Sequence, residues 1–269
     1  MGNNIHPTAV IEDSARLGDN VTVGPNCYID KDAVIGDNTV MDANVIIGKS
    51  VKLGSGNTLF ANSVVGRPPQ LLGWTEEQKV GQLEIGDNNT IRENVTIHPS
   101  MHPGELTKIG SDNLIMVGVH IGHDCILEDK IVVSNYTQIS GHCKVETGVW
   151  LSGIVAVHQF VTLGKWCYAA GLSGINHDIP PFVIVSGHYP NEVRSINKRG
   201  LKRAGYDDQT KESIMGAFKK IYKSNGIFID RVKELAKESD LDPNVRYMVE
   251  FIIRSQEHRF GRYLESFRG

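Results

Sequence analysis

Along this chain an aliphatic residue returns at every sixth position. One run steps from Ile5 through Ile11, Leu17, Val23, Ile29, Ile35, Met41, Ile47, Leu53 and Leu59 to Val65. A second begins at Ile85, Ile91 and Ile97, skips Pro103, and continues from Ile109 through Ile121, Ile139 and Val157 to Ile175. Period six is neither the 3.6 of an amphipathic helix nor the 2 of an alternating strand. It marks a hexapeptide solenoid, a parallel β-helix whose coils bury one another's apolar edges. The aliphatic position and the one four residues later then point into the coil, and the rest point outward.

The four cysteines fit that frame. Cys27, Cys125, Cys143 and Cys167 each fall four places after an aliphatic residue. They are expected to fill the core as small hydrophobes, since no CxxC pair is present and free Cys is among the most buried residue types.

Two segments break the rhythm. Residues 66–84 carry Pro68, Pro69, Leu71, Leu72 and Trp74, and the repeat resumes in a shifted phase; residues 99–108 carry Pro99, Met101, Pro103 and Gly104, and the phase is kept. A solenoid puts such insertions on its outer face, where loops bind. The first, with its Trp and paired leucines, reads as a binding loop. The second is equally compatible with binding and with surface decoration.

The repeat ends near Pro180-Pro181. Beyond it, helical spacing predicts three segments: one capped by Asp207 and Asp208 and ending at Asn225-Gly226, a shorter one after Asp230, and one opened by Asp242-Pro243. A basic helix start is predicted from Arg194, Lys198 and Lys202 with Arg199 and Arg203, a candidate diphosphate clamp or an ordinary solvated face. The expected division is a β-helix over 1–187 and a small helical domain over 188–269.

Five histidines, His98, His120, His123, His142 and His158, occupy outward positions of the second run. With three hexapeptides per coil, residues eighteen apart stack, about 4.8 Å per step. His123, Gly141 and Gln159 then form one column, and Asp124 lies against His142. Neutral imidazole is the commonest general base near pH 7, Asp124 can orient a ring, and Gly141 offers an uncovered N–H for an oxyanion. The spacing supports a metal ligand equally well, with His120 and His123 as one His-x-x-His pair. No nucleophile elbow is present, so attack by a substrate hydroxyl or amine fits better than a covalent acyl-enzyme.

Charge and hydropathy trim the alternatives. A net charge of -3 gives no reason to expect nucleic acid. No membrane-spanning segment or signal sequence is read in the chain, and unpaired cysteines point to a reducing cytoplasm.

Several stretches resemble the acyl-ACP–UDP-N-acetylglucosamine O-acyltransferases. They are Ile85 to His98, His120 to Cys125, Ser140-Gly141-His142, Ala156 to Phe160, Asp178 to Pro181 and Gly200 to Gly205. The resemblance covers nearly the whole chain, tail included. It implies an all-β left-handed parallel β-helix with a small C-terminal helical domain, and a homotrimer with active sites between subunits. It also implies the first step of lipid A biosynthesis: a 3-hydroxyacyl chain passes from acyl carrier protein to the 3-position of UDP-N-acetylglucosamine. No metal or separate cofactor is implied, the acyl group being carried on the phosphopantetheine of acyl carrier protein.

Residue by residue, the resemblance makes His123 the general base, Asp124 its acidic neighbour and Gly141 the oxyanion donor. It places His120, His142, His158 and Gln159 around the sugar and diphosphate, and His98 near the acyl-donor groove. It assigns Asn197 and Arg203 to the nucleotide and Gly171 to the end of the acyl chain. Two departures stand out. Leu71 occupies the place of a sugar-binding Asp that many members carry, and Pro99-Ser100 replaces a common basic residue followed by Gly. The first bears on the acceptor sugar, with a different UDP-sugar or amino-sugar, or a non-catalytic binding paralogue, as alternatives; a γ-carbonic-anhydrase-type metalloenzyme is a further one.

Overall fold

The computed structural model describes residues 2–75, 77–258 and 260–267. The hexapeptide runs wind into a left-handed parallel β-helix of about ten turns. Most strands are only two residues long, and each pairs in parallel with the strand three places on, so the coil has three faces. The first sheet holds eleven strands, the second nine and the third eight. Ile121 pairs in register with Ile139, and Ile139 with Val157, the expected offset of eighteen residues.

That register explains the pattern. Ile97, Ile115, Ile121, Ile139 and Leu151 are fully buried, stacked coil upon coil. Ile5, an inward position on the first coil with nothing beneath it, stays exposed. The second inward position takes small residues, among them all four free cysteines, every one buried. It also takes a polar ladder invisible to an aliphatic count. Asn89 donates its backbone N–H and its amide to Asn57 Oδ1, the Asn113 N–H donates to Asn89 Oδ1, and the Ile131 N–H to Asn113 Oδ1.

Most corners turn through one residue with positive φ. In the first coils this residue is mostly Asn or Asp, as at Asn20, Asn26, Asp32 and Asn38, which tolerate the left-handed region. Nearer the C-terminus it becomes Tyr136, Ile154 and Leu172 on one edge, at φ 58°, 59° and 61°. These three follow successive strands of the first sheet, and they are 58%, 57% and 69% exposed.

Both insertions leave the coil at the same corner, between the second and third sheets. The first joins strand Val64–Val65 to Gln82–Ile85, and the second joins Thr96–Ile97 to Leu106–Ile109. Gln82–Ile85 and Leu106–Ile109 then pair over four residues. The shifted phase after the first loop and the kept phase after the second reflect only how many residues each adds at that corner.

The expected division near 188 falls within a continuing sheet. After Val183–Ser186, the strand Glu192–Ile196 pairs antiparallel on the first sheet. Arg194 lies in that strand, bonded to Glu192 and Ser186, and not on a helix. Among the described residues four α-helices follow, α1 (Lys198–Arg203), α2 (Asp208–Tyr222), α3 (Phe228–Ala236) and α4 (Pro243–Gln256), and then a short 3-10 helix, Tyr263–Phe267. Asp207 caps α2, and Asp242 caps α4 ahead of its first-turn proline. Asp230 sits inside the first turn of α3, after Ile227 rather than before the helix, and the helix has no side-chain cap. Ile214, Ile221, Met248 and Ile252 are buried in the core they share with the β-helix. Tyr247 of α4 hydrogen-bonds Glu146, and Asp178 accepts from Ser255 and the Tyr263 N–H, which fastens the helices to the last coils. None of the described helices is long and apolar enough to cross a membrane.

The asparagine ladder supplies a stability test. Asn89→Ala strips partners from the buried Asn113 N–H and Gly110 carbonyl, and is expected to destabilise the chain by about 2 kcal/mol. Thermal unfolding reads this as a lowered Tm, and an unchanged Tm contradicts the ladder's role.

Candidate active site

The corner between the second and third sheets is where the expected site residues gather. On successive coils it reads His98-Pro99-Ser100, Gly122-His123-Asp124, Ser140-Gly141-His142 and His158-Gln159-Phe160. The His142 N–H donates to the His123 carbonyl at 2.9 Å, which fixes the stacking of the two coils. His123, Gly141 and Gln159 do form one column, and Asp124 does lie against His142.

Asp124 holds the left-handed turn position, φ 58°. Equivalent asparagines elsewhere bond one another between coils, as Asn26 does to Asn44. Asp124 instead turns to His123, whose Nδ1 lies 2.7 Å from its Oδ2. It also accepts from Ser100 Oγ and, at 3.3 Å, from the Met101 N–H, and its own N–H donates to Thr107 Oγ1. Burial pushes its carboxyl upward, but the hydrogen bonds from His123, Ser100 and Met101 and the nearby His142 outweigh that, and it titrates below the usual carboxylate range. A carboxylate facing Nδ1 keeps the proton there, so His123 Nε2 presents its lone pair outward.

That nitrogen hangs over Gly141. A Cβ at position 141 would lie 2.6 Å from His123 Cε1 and 2.8 Å from Nε2, so a side chain here would collide with the ring. Among the described residues nothing accepts the Gly141 N–H, although the residue is buried. Corresponding N–H groups on other coils bond carboxylates, as Ser111 does to Asp129 and Thr147 to Glu128. An unpaired buried donor beside an imidazole lone pair is the geometry for taking a proton and holding an oxyanion.

Two of the neighbouring rings, His98 and His120, are neutral. His120 donates or accepts with Thr96 Oγ1 at 2.9 Å and lies against His98, ring centroids 5.2 Å apart. Burial, with smaller contributions from His98 and His123, pushes its pKa down to about 4. His98 bonds the Arg67 carbonyl through Nδ1 and is also lowered by burial, and its buried Nε2 has no partner among the described residues. Near pH 7 both therefore contribute hydrogen bonds and shape rather than positive charge. His142 stacks on Phe160 at 4.6 Å and meets His123 edge-on. His158 and Gln159 are exposed, the His158 ring bonding the Gln159 carbonyl.

The remaining expected residues lie elsewhere on the chain. Gly171 is exposed on the Tyr136–Ile154–Leu172 edge, over the Gly153 carbonyl. Asn197 and Arg203 line a cavity of about 970 Å³ with Trp150, Tyr168, Arg199 and Phe218, between the first sheet and α1 and α2. Asn197 is buried and caps α1, its amide bonding the Trp166 carbonyl and its oxygen the Gly200 N–H. Arg203 stacks over Trp150 at 4.5 Å. Leu71, Arg67 and Trp74 line a second cavity, about 1100 Å³, in the first loop.

The second loop contributes what the period could not show. Ser100 and His102 lie in an insertion, outside the repeat, yet the Gly81 N–H bonds the Ser100 carbonyl and the Ser100 N–H bonds Gln82, folding the loop onto Asp124. The available signal was the enlarged corner directly after His98. Thr96, three residues before Pro99, and Phe160 were likewise unmarked by spacing.

A parallel β-helix carrying an imidazole–carboxylate pair over an open backbone N–H, with a helical C-terminal module, defines a hexapeptide-repeat transferase architecture. Residues 178–261 match a family described as UDP-N-acetylglucosamine O-acyltransferase, domain 2. An acyl-ACP–UDP-N-acetylglucosamine O-acyltransferase from Paraburkholderia phymatum is 42% identical over 260 residues, 94% of this chain and 98% of that protein. One of the same name from Gloeothece citriformis is 37% identical over 174 residues, 65% of this chain, and the match spans 62% of that relative's length. Among solved structures, LpxA from Bacteroides fragilis, a UDP-N-acetylglucosamine acyltransferase, superposes with a TM-score of 0.85 at 36% identity, covering 92% of this chain and 96% of that one. The chain belongs to the acyl-ACP–UDP-N-acetylglucosamine O-acyltransferase family.

Burial of His120 carries its own test. Its folded value lies below the ordinary 6.5, so the stability tied to its neutral form is full above pH 6.5 and lost as pH falls toward 4. NMR titration of the ring protons is expected to give a midpoint near 4; a midpoint near 6.5 contradicts the buried, neutral ring.

Proposed function

We propose that this chain transfers a 3-hydroxyacyl group from acyl carrier protein to the 3-hydroxyl of UDP-N-acetylglucosamine, the first step of lipid A biosynthesis, in the cytoplasm. The observation that carries the reading is His123 held by Asp124 over the unpaired Gly141 N–H. His123 Nε2 takes the proton of the sugar hydroxyl as its oxygen attacks the thioester carbonyl. Asp124 stabilises the imidazolium that forms, and the Gly141 N–H donates to the carbonyl oxygen as it becomes an oxyanion. Collapse breaks the carbon–sulfur bond, and the leaving thiolate of phosphopantetheine receives the proton from His123. No covalent acyl-enzyme is needed, and the acyl group needs no carrier beyond acyl carrier protein.

We further propose that the working unit is a homotrimer with each site shared by two chains. Gly171, Asn197 and Arg203 are displaced from the His123 corner within one chain, and a second copy would bring its own to that corner. The exposed Tyr136, Ile154 and Leu172 column supports this: three apolar side chains at strained left-handed turns present a ready contact. The cavity containing Arg203 is rimmed by Lys198, Arg199, Lys219 and Lys223, which suits a diphosphate or the phosphate of phosphopantetheine. The contacts proposed around the sugar are His142, His158 and Gln159 at the same corner, with His98 and His120 as neutral hydrogen-bonding groups beside them.

His123→Ala is expected to cut turnover by about 10²–10⁴-fold while leaving assembly intact. Single-turnover reaction with 3-hydroxyacyl carrier protein and UDP-N-acetylglucosamine, with products weighed by mass spectrometry, reads this directly; O-acylated sugar formed at the wild-type rate by the variant sinks the assignment. Running the same assay with an amino-sugar analogue decides the acceptor, because Leu71 offers no carboxylate to it. Gly141→Ala, which displaces the His123 ring, is expected to lower kcat by roughly 10²-fold, and an unaltered kcat contradicts the close approach.

A further inference from the structure

The His102 side chain has no part in the reaction described above. It is exposed on the second loop, but its backbone is pinned: its N–H donates to Ser100 Oγ at 3.0 Å, and its carbonyl accepts from the Glu105 N–H at 3.0 Å. This anchors its ring over the corner, 6.2 Å between centroids from the ring of His142. One ligand atom each from His102, Asp124 and His142 lies within 4.8 Å of the other two. His142 Nε2 and Asp124 Oδ2 are already 3.7 Å apart. Ligands at zinc distances in a tetrahedral site sit about 3.3 Å from one another. Rotation of the exposed His102 ring, with a small shift of His142, closes the remaining gap. The pair expected from spacing, His120 and His123, does not converge in this way, since His120 faces Thr96 and His123 faces Asp124.

We propose that His102, Asp124 and His142 bind one zinc-class divalent cation, and that the bound cation switches off the His123 base. Two imidazoles and one carboxylate are the donors that borderline transition metals prefer, and magnesium and calcium want oxygen ligands instead. The three protein ligands leave a fourth position open to water. Metal ligation draws Asp124 Oδ2 away from His123 Nδ1, so the ring loses the group that fixes its tautomer and orientation. The cation also occupies the face of His142 beside Gly141. The binding site stands on geometry alone; the switching rests on the acyl-transfer reading.

Equilibrium dialysis of the full chain against zinc chloride tests the site. Wild type is expected to hold one zinc per chain, unaffected by millimolar magnesium, and His102→Ala and His102→Gln to bind at least about tenfold more weakly. Cobalt(II) substitution should give the visible absorption of a low-symmetry four-coordinate ion in wild type and not in the variants. Equal zinc affinity in wild type and both variants, or no zinc bound by wild type, overturns the site. Turnover then tests the switch: zinc should inhibit wild type reversibly with a chelator, and His102→Ala should keep basal turnover while tolerating about tenfold more zinc. Zinc bound through His102 with turnover unchanged overturns the switch alone. A chain without any acyl-transfer activity overturns the functional reading and leaves the dialysis result to stand by itself.

Discussion

Parallel pairing at an offset of eighteen residues is the constraint on which everything else in this molecule depends. Because Ile121 lies on Ile139 and Ile139 on Val157, the residues that follow them must stack at one corner. The aliphatic columns hold the register, since slipping one coil by a residue would turn its buried side chains outward. The geometry of the candidate site is thereby inherited from core packing. His123 lies over Gly141 because their strands are in register, and Asp124 reaches His123 because the turn places it in the left-handed region.

The same constraint divides labour between edges. One edge carries the imidazoles, Asp124 and both insertions. Another carries Tyr136, Ile154, Leu172 and Gly171, and the helices build the Arg203 cavity on the first sheet. A rigid solenoid cannot bend one edge toward another, so a site using all of them requires a second copy. The proposed homotrimer would supply that copy with every interface alike.

Fold and core were legible because a six-residue period assigns a direction to every side chain. Cys125, Ile139 and the Asp124–His142 stack followed from counting alone. Carry-over by motif singled out His123 as the base; counting had already set it beside Gly141, whose open N–H read as an oxyanion donor. What stayed hidden lies where the count stops or where burial decides. Ser100 and His102 sit in an insertion whose path is set by hydrogen bonds to Gly81 and Gln82. His120 and His98 fall at outward positions of the repeat, yet burial under neighbouring rings and the first loop keeps them neutral, which the count could not show. Arg194 matched a helical spacing but belongs to a strand, since its partner strand Val183–Ser186 extends the first sheet. Asn197, expected at the nucleotide, carries a structural task as well: its Oδ1 accepts the Gly200 N–H to cap α1, and its Nδ2 donates to the Trp166 carbonyl.

The central claim is that the His123 corner of one chain works with the Arg203 region of another. Mixing unfolded His123→Ala and Arg203→Ala chains and refolding them together tests it most directly. Each variant alone should be nearly inactive. In random mixed trimers about a quarter of the sites should pair an intact corner with an intact Arg203, and turnover should return in proportion. Mixed trimers that form and stay as inactive as either parent would contradict the account.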